Sequence, residues 1–313
     1  TETIVSYFIP LIISSVVGVL CSKIILQESF LFNFVLQEHF DYRNVPGYIL
    51  LGTLAGFISL YYARAFKRSE LRIHNWKINP YSKAIIAGAM LMVMYFIFPT
   101  LFGEGYDSVA LLANGSGETI INDTILFSNW DKDWSIVLFA GLIVFLKPIA
   151  AAVTIGGGGN GGNFAPSLFT GSYLGFFLSK LINNTGWVKM PEGNFTLVGM
   201  AGVLSGVMYC PLSAIFLIAE ITNGYELFIP LMLVSSISFF IVKSYEPYSM
   251  DIKKLAMEGQ IFTHKKEKNI LTSIRLDEML QDKYDTISVD KKLRDLVEII
   301  KKSERNIFAV NDT

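Results

Sequence analysis

Six glycines fall within residues 154–166, which read Thr154, Ile155, Gly156, Gly157, Gly158, Gly159, Asn160, Gly161, Gly162, Asn163, Phe164, Ala165, Pro166. Glycine at that density abandons regular structure, and the run that begins at Phe164 is compatible with a helix. Loop amides and the free N–H groups of a first helical turn would form a concave set of donors, reinforced by the helix dipole. An anion can sit there without a cationic side chain. For a permeant ion that is useful, because a full lysine partner in low dielectric would hold it too tightly to release. Pro166 fits early in the helix, where its missing N–H and fixed φ are tolerated. A nucleotide phosphate loop is the poorer reading, since no Lys-Ser or Lys-Thr pair follows the glycines and the flanks are not a βαβ unit. Close packing of helices through small residues is the other reading of the same glycines.

The elements that must position this loop are apolar. Residues 4–26, 47–66, 84–102 and 134–155 each approach the ~20 residues needed to cross a hydrocarbon core. Residues 164–182, 195–209, 212–222 and 227–243 are shorter or interrupted by Gly, Pro and Asn. Interrupted helices at membrane depth are tolerated only where protein or a watery cavity satisfies the backbone, and such breaks mark binding sites in transporters. Residues 64–83 carry Arg64, Lys67, Arg68, Arg72, Lys77 and Lys83 against Glu70 alone, which the positive-inside rule places in the cytoplasm. The next long loop carries Glu104, Asp107, Glu118, Asp123, Asp131 and Asp133 against Lys132 and is expected outside. Counting back puts residues 27–46 outside and Thr1 inside, so the chain reads as cut from something longer.

Composition agrees: 52% of the 313 residues are hydrophobic and 17% charged, a surplus that needs lipid to hide in. A net charge of −1 offers no global basic field, so nucleic acid is not an expected partner. Cys21 and Cys210 lie in apolar runs without metal-ligand spacing and read as packed thiols. His39, His74 and His264 fall in polar loops, and HExxH and GxSxG motifs are absent, so an intramembrane hydrolase lacks its materials. Lys147 ends an apolar run, where it either raises the local potential or snorkels to an interface. Glu220, within an apolar helix, must be paired or protonated. From about His264 the chain turns polar; residues 285–289 read as a strand, 290–303 as an amphipathic helix with Leu293, Val297 and Ile300 on one stripe, and 306–310 as a second strand.

Gly162, Asn163, Phe164, Ala165 and Pro166 resemble the Gly-x-Phe-x-Pro motif of the CLC family of chloride channels and chloride/proton exchangers. Residues 199–206 (Gly-Met-Ala-Gly-Val-Leu-Ser-Gly) and the stretch from Cys210-Pro-Leu-Ser through Glu220-Ile-Thr to Leu227 look like that family's late helices. Phe102-Gly-Glu-Gly-Tyr-Asp-Ser and Lys147 look like its bacterial branch with cytoplasmic domains. The resemblance implies an all-α membrane protein of inverted-repeat fold with broken and tilted helices, here helices I to R, in residues 1–262. A cytoplasmic linker and the first half of an α/β CBS domain would follow in residues 263–313.

For the site, the resemblance implies chloride or a similar small anion held at residues 162–166 by the amides of Asn163, Phe164 and Ala165. A tyrosine hydroxyl would assist, placed on Tyr248 in Glu246-Pro-Tyr-Ser with Tyr245 as the fallback. It further implies a multi-pass plasma-membrane protein, either channel or antiporter, working as a homodimer whose contact includes Ile215, Leu217, Ile218, Ile221, Leu227, Ile229 and Leu231. No cofactor is expected beyond an adenine nucleotide at a complete pair of CBS domains, and Glu220 becomes a structural residue. The family's first-half motifs, Gly-Ser-Gly-Ile-Pro and Gly-(Arg/Lys)-Glu-Gly-Pro, do not occur; Glu28 and Glu38 read as surface residues and not as substitutes. Half a pore is not expected to conduct alone. The alternative is a membrane scaffold or sensor read out through its CBS segment.

Overall fold

The computed structural model describes residues 5–26, 39–121, 132–186, 188–222, 225–257, 285–303 and 308–311. The chain divides into two units, Thr1–Lys253 and Lys254–Thr313. Glu28, Glu38 and His264 lie outside the described residues.

The first unit is helical: α1 Val5–Leu26, α2 Val45–His74, α3 Pro80–Ile97, α4 Tyr106–Ala113, α5 Lys132–Gly156, α6 Phe164–Thr185, α7 Glu192–Met208, α8 Pro211–Ile221, α9 Phe228–Tyr245 and, across the boundary between units, α10 Lys253–Met257. Among the described residues, α1, α2, α3, α5 and α9 are long and apolar enough to cross a membrane, whereas α8 has 11 residues. Helix α2 extends beyond the expected end at residue 66 into the basic stretch, so the residues from Arg64 to His74 are helical. Good helix formers carry it on, Lys67 and Glu70 pairing at 2.9 Å one turn apart. Asn79 then caps α3 by accepting the Tyr81 amide at 3.3 Å, with Pro80 in the first turn. The break between α7 and α8 is made by Pro211, which forces Cys210 out of the helical region (φ −128°).

Helix α7 is the core of this unit, buried from Asn194 to Val207. It crosses α6 with backbones in contact, since a Cβ on Gly175 would strike the Phe195 carbonyl and one on Gly171 the Gly199 carbonyl. On its other side Gly202 faces Ala55 and Val234, and Gly206 faces Ser59 and Ser238, which draws α2 and α9 close. Ser59 donates to the Ala55 carbonyl at 2.7 Å and Ser205 to the Ser235 carbonyl at 2.9 Å, whereas the buried hydroxyls of Ser235 and Ser238 meet no partner among the described residues.

Two expectations about the apolar faces change. Cys21 is exposed on α1, a helix whose described span Phe8–Ile25 has no buried residue, so its apolar surroundings are not a core of this unit. Ile215, Ile218, Leu227 and Leu231 are buried within the chain and unavailable to a partner, because α8 and α9 turn these faces inward; Ile229 is exposed. Glu220 is an exposed residue of α8.

In the second unit β1 (Thr286–Ser288) and β2 (Ala309–Asn311) pair in parallel, with Ile287 opposite Val310, and α11 (Leu293–Lys302) lies between them in sequence. The apolar stripe of Leu293, Val297 and Ile300 is present and exposed.

Candidate anion site at the start of α6

The glycine loop uses its donors in two ways. Gly157 donates to the Val153 carbonyl (2.9 Å), Gly158 to that of Ile155 (3.0 Å) and Gly159 to that of Thr154 (2.9 Å), so the first loop amides close the C-terminal end of α5. Orphan carbonyls at a helix end require this, and Gly158 provides the left-handed turn at φ 99°. These three amides are therefore not part of an anion cradle, a narrower donor set than the sequence implied.

Asn163 is the N-cap of α6 and makes no side-chain capping bond. Phe164, Ala165 and Pro166 form the first turn, closed when Ser167 donates to the Asn163 carbonyl at 3.1 Å. Among the described residues the amides of Phe164 and Ala165 meet no acceptor. Gly162 has open space where a side chain would lie. A cavity of about 270 Å³ is lined by Gly161, Gly162, Ala165 and Pro166 and also by Lys147 and Glu104. Free donors, a helix N-terminus and room for an ion thus coincide, the arrangement expected to hold an anion moderately.

Lys147 does not snorkel. It is 3% exposed and donates from Nζ to the carbonyls of Leu101 (3.1 Å) and Gly103 (2.9 Å), while standing 4.1 Å over the Phe169 ring. Its ammonium ties residues 101–103 to α5 and α6, and Gly103 and Gly105 at φ 61° and 77° let the chain bend there. Buried amines are held by such carbonyl contacts.

Tyr248 is half-buried in the bend after α9 and does not line the cavity; Tyr245, the last residue of α9, is exposed. A different tyrosine reaches the N-cap. Tyr62, fully buried on α2 and stacked on Phe66, directs its hydroxyl to Asn163 Oδ1 at 3.5 Å, the outer limit of a hydrogen bond. The Asp251 carboxylate lies within electrostatic range of that hydroxyl. Sequence reasoning passed over Tyr62, although a tyrosine inside an apolar span signals a hydroxyl in need of a partner.

A family profile described as "Voltage gated chloride channel" matches residues 2–243. The voltage-gated ClC-type chloride channel ClcB of Salmonella typhimurium is 25% identical over 235 residues, covering 73% of this chain and 51% of that protein. The chloride channel protein CLC-e of Arabidopsis thaliana is 27% identical over 214 residues, covering 62% of this chain and 28% of that one. Among solved structures, a slow cyanobacterial Cl−/H+ antiporter superposes with a TM-score of 0.57 at 18% identity, covering 74% of this chain and 51% of its own. A CLC-type fluoride/proton antiporter superposes at 0.53 and 20% identity, covering 70% and 49%. The chain spans about half the length of the ClcB relative.

Proposed function

We propose, on the premise that this chain belongs to the voltage gated chloride channel family, that it forms one side of a transmembrane pathway for chloride or a similar small anion. That family consists of channels and antiporters, not enzymes. The carrying observation is that the amides of Phe164 and Ala165 are unused at the start of a helix, where Gly162, Ala165 and Pro166 line a cavity. In this reading the segment 162–166 binds the ion through backbone dipoles, Gly162 leaves it room, and a tyrosine hydroxyl assists. Tyr248 is the tyrosine implied by family resemblance; the contact between Tyr62 and Asn163 supports Tyr62 for the same duty.

The remaining assignments follow the same pattern. Arg64, Lys67, Arg68 and Arg72 on the last turns of α2 support a cytoplasmic end there in a multi-pass plasma-membrane protein. The parallel pair β1–β2 and α11 support a partial cytoplasmic CBS domain, whose complete pair would accept an adenine nucleotide. Exposed Leu212, Phe216 and Ile229 on α8 and α9 support a homodimer contact.

The test is anion flux by the full-length parent protein in liposomes. The wild type is expected to collapse an imposed chloride gradient, and Gly162→Leu to abolish flux while changing stability by no more than ~0.5 kcal/mol, because the site of the new side chain is open. A parent protein that moves neither halide nor nitrate refutes the transport reading. If chloride stabilises neither the parent nor the wild-type chain against heat, the scaffold alternative gains.

A further inference from the structure

A second cavity lies along the C-terminal half of α2, away from the start of α6. Its floor is one stripe of that helix, Phe57, Leu60, Tyr61, Arg64, Ala65 and Arg68, spaced three and four apart so that all face the same way. Tyr245 at the end of α9 forms the facing wall, its ring 6.4 Å from that of Phe57, and the space is about 490 Å³. The floor is fixed: the Tyr61 hydroxyl donates to the Phe145 carbonyl at 3.0 Å, and the Tyr61 and Phe145 rings meet edge-on at 5.2 Å.

Along this stripe the chemistry changes in one direction, from an apolar ring through a tyrosine to two guanidinium groups. At ~1.5 Å per residue, Phe57 to Arg68 covers roughly 16 Å. That is about the depth of one leaflet of a ~30 Å hydrocarbon core. The cations are unequal. Arg64 is committed to Glu246, its Nε at 3.3 Å and its Nη2 at 3.1 Å from Oε1. Glu246 is also bonded to Lys253 at 2.6 Å, so the cluster of Arg64, Lys253 and Glu246 is already net positive. Arg68 meets no acceptor among the described residues, and its charge is left for something outside them.

We propose that this groove binds one anionic phospholipid, an acyl chain lying over Phe57 and Leu60 and the headgroup phosphate on Arg68, with Arg64 as the second cation. A glycerophospholipid has the same order of parts over the same length: hydrocarbon, ester region, anion. Tyrosines and arginines at a helix end are the side chains that meet a headgroup layer. The inference requires that the chain sit in a bilayer and is independent of whether it moves chloride.

The test is thermal unfolding of the purified full-length parent protein in detergent, titrated with phosphatidylglycerol or with phosphatidylcholine of the same acyl chains. Phosphatidylglycerol is expected to stabilise at lower concentration than phosphatidylcholine. Arg68→Gln should weaken that preference roughly fivefold, the worth of one cation at an anionic surface, and Arg68→Lys should keep most of it. Equal responses of the wild type to the two lipids, or an unchanged preference in Arg68→Gln, overturns the proposal. Stabilisation by inorganic phosphate alone to the same degree also overturns it, since the apolar floor would then be idle. Should Arg68→Gln fail to fold, native mass spectrometry of the wild type decides: retained phosphatidylglycerol supports the site, and preferential retention of phosphatidylcholine overturns it.

Discussion

Gly158 and Gly162 in the loop before α6, and Gly171 and Gly175 two to three turns into that helix, are the same residue doing opposite work. A Cβ at Gly158 or Gly162 would meet nothing, whereas one at Gly171 or Gly175 would meet the backbone of α7. Gly158 lets the chain turn at the end of α5 and Gly162 leaves space beside a cavity, whereas the second pair removes side chains so that two helices can touch. Close packing through small residues, offered by the sequence for the loop glycines, is found at Gly171 and Gly175 beyond the loop, and within it at Gly157, which lies against Ala87. What separates them is not composition but whether another backbone lies opposite.

The sharpest way to break this comparison is at the crossing. Gly175→Ala places a methyl group against the Phe195 carbonyl, a backbone atom that cannot rotate away. The helices must part along a face buried on both sides, and a loss of about 3 kcal/mol is expected, the upper range for overpacking. Thermal unfolding of the purified protein measures it, set beside the near-neutral stability expected for Gly162→Leu. Equal destabilisation by the two substitutions would erase the distinction between the glycine sets.

Helix positions were legible in the sequence because apolar length and glycine or proline breaks are local signals; α5, α6, α8 and α9 begin or end within a few residues of expectation. The end of α2 was not, since its last turns are basic and charge alone does not separate a solvated helix from a loop. The loop before α6 was half legible. Its glycine density announces an irregular segment, but the diversion of the Gly157, Gly158 and Gly159 amides to the carbonyls of α5 is set by where that helix stops. The partner of Tyr62 was invisible because 101 residues separate it from Asn163 and only the packing of α2 brings them together. The inward faces of α8 and α9 were misassigned for a similar reason: an apolar stripe says that something covers it, not what.

A smaller effect is expected at Lys147, which also lines the cavity. Lys147→Met removes two charge-assisted bonds and leaves the carbonyls of Leu101 and Gly103 without that partner, while filling similar space over Phe169. A cost of about 2 kcal/mol is expected, together with faster amide exchange in residues 101–105. If exchange there is unchanged, the segment 101–105 that shares the cavity with Gly161 and Gly162 is held by something other than this lysine.

The smallest effect concerns the segment that carries Tyr248 and Asp251. The Glu246 carboxyl is held below its ordinary value of 4.5, first by the hydrogen bond from Lys253 and then by Arg64, against the opposing effect of burial. Its carbonyl also accepts the Tyr209 hydroxyl at 2.6 Å, so one residue ties together α2, the α7–α8 turn and the start of α10. A depressed carboxyl stabilises the fold above its unfolded value, and that contribution is lost as pH falls through the lower, folded value. Arg64 and Lys253 are about half exposed, so screening reduces the gain to about 0.5 kcal/mol. Glu246→Gln should therefore lower stability slightly at neutral pH and converge with the wild type in acid, by thermal unfolding over the two ranges. A gap that stays constant into acid would mean that the carboxylate contributes through packing. In that case the segment that carries Tyr248 and Asp251 is held as the α6–α7 crossing is held, by contact, and not by charge.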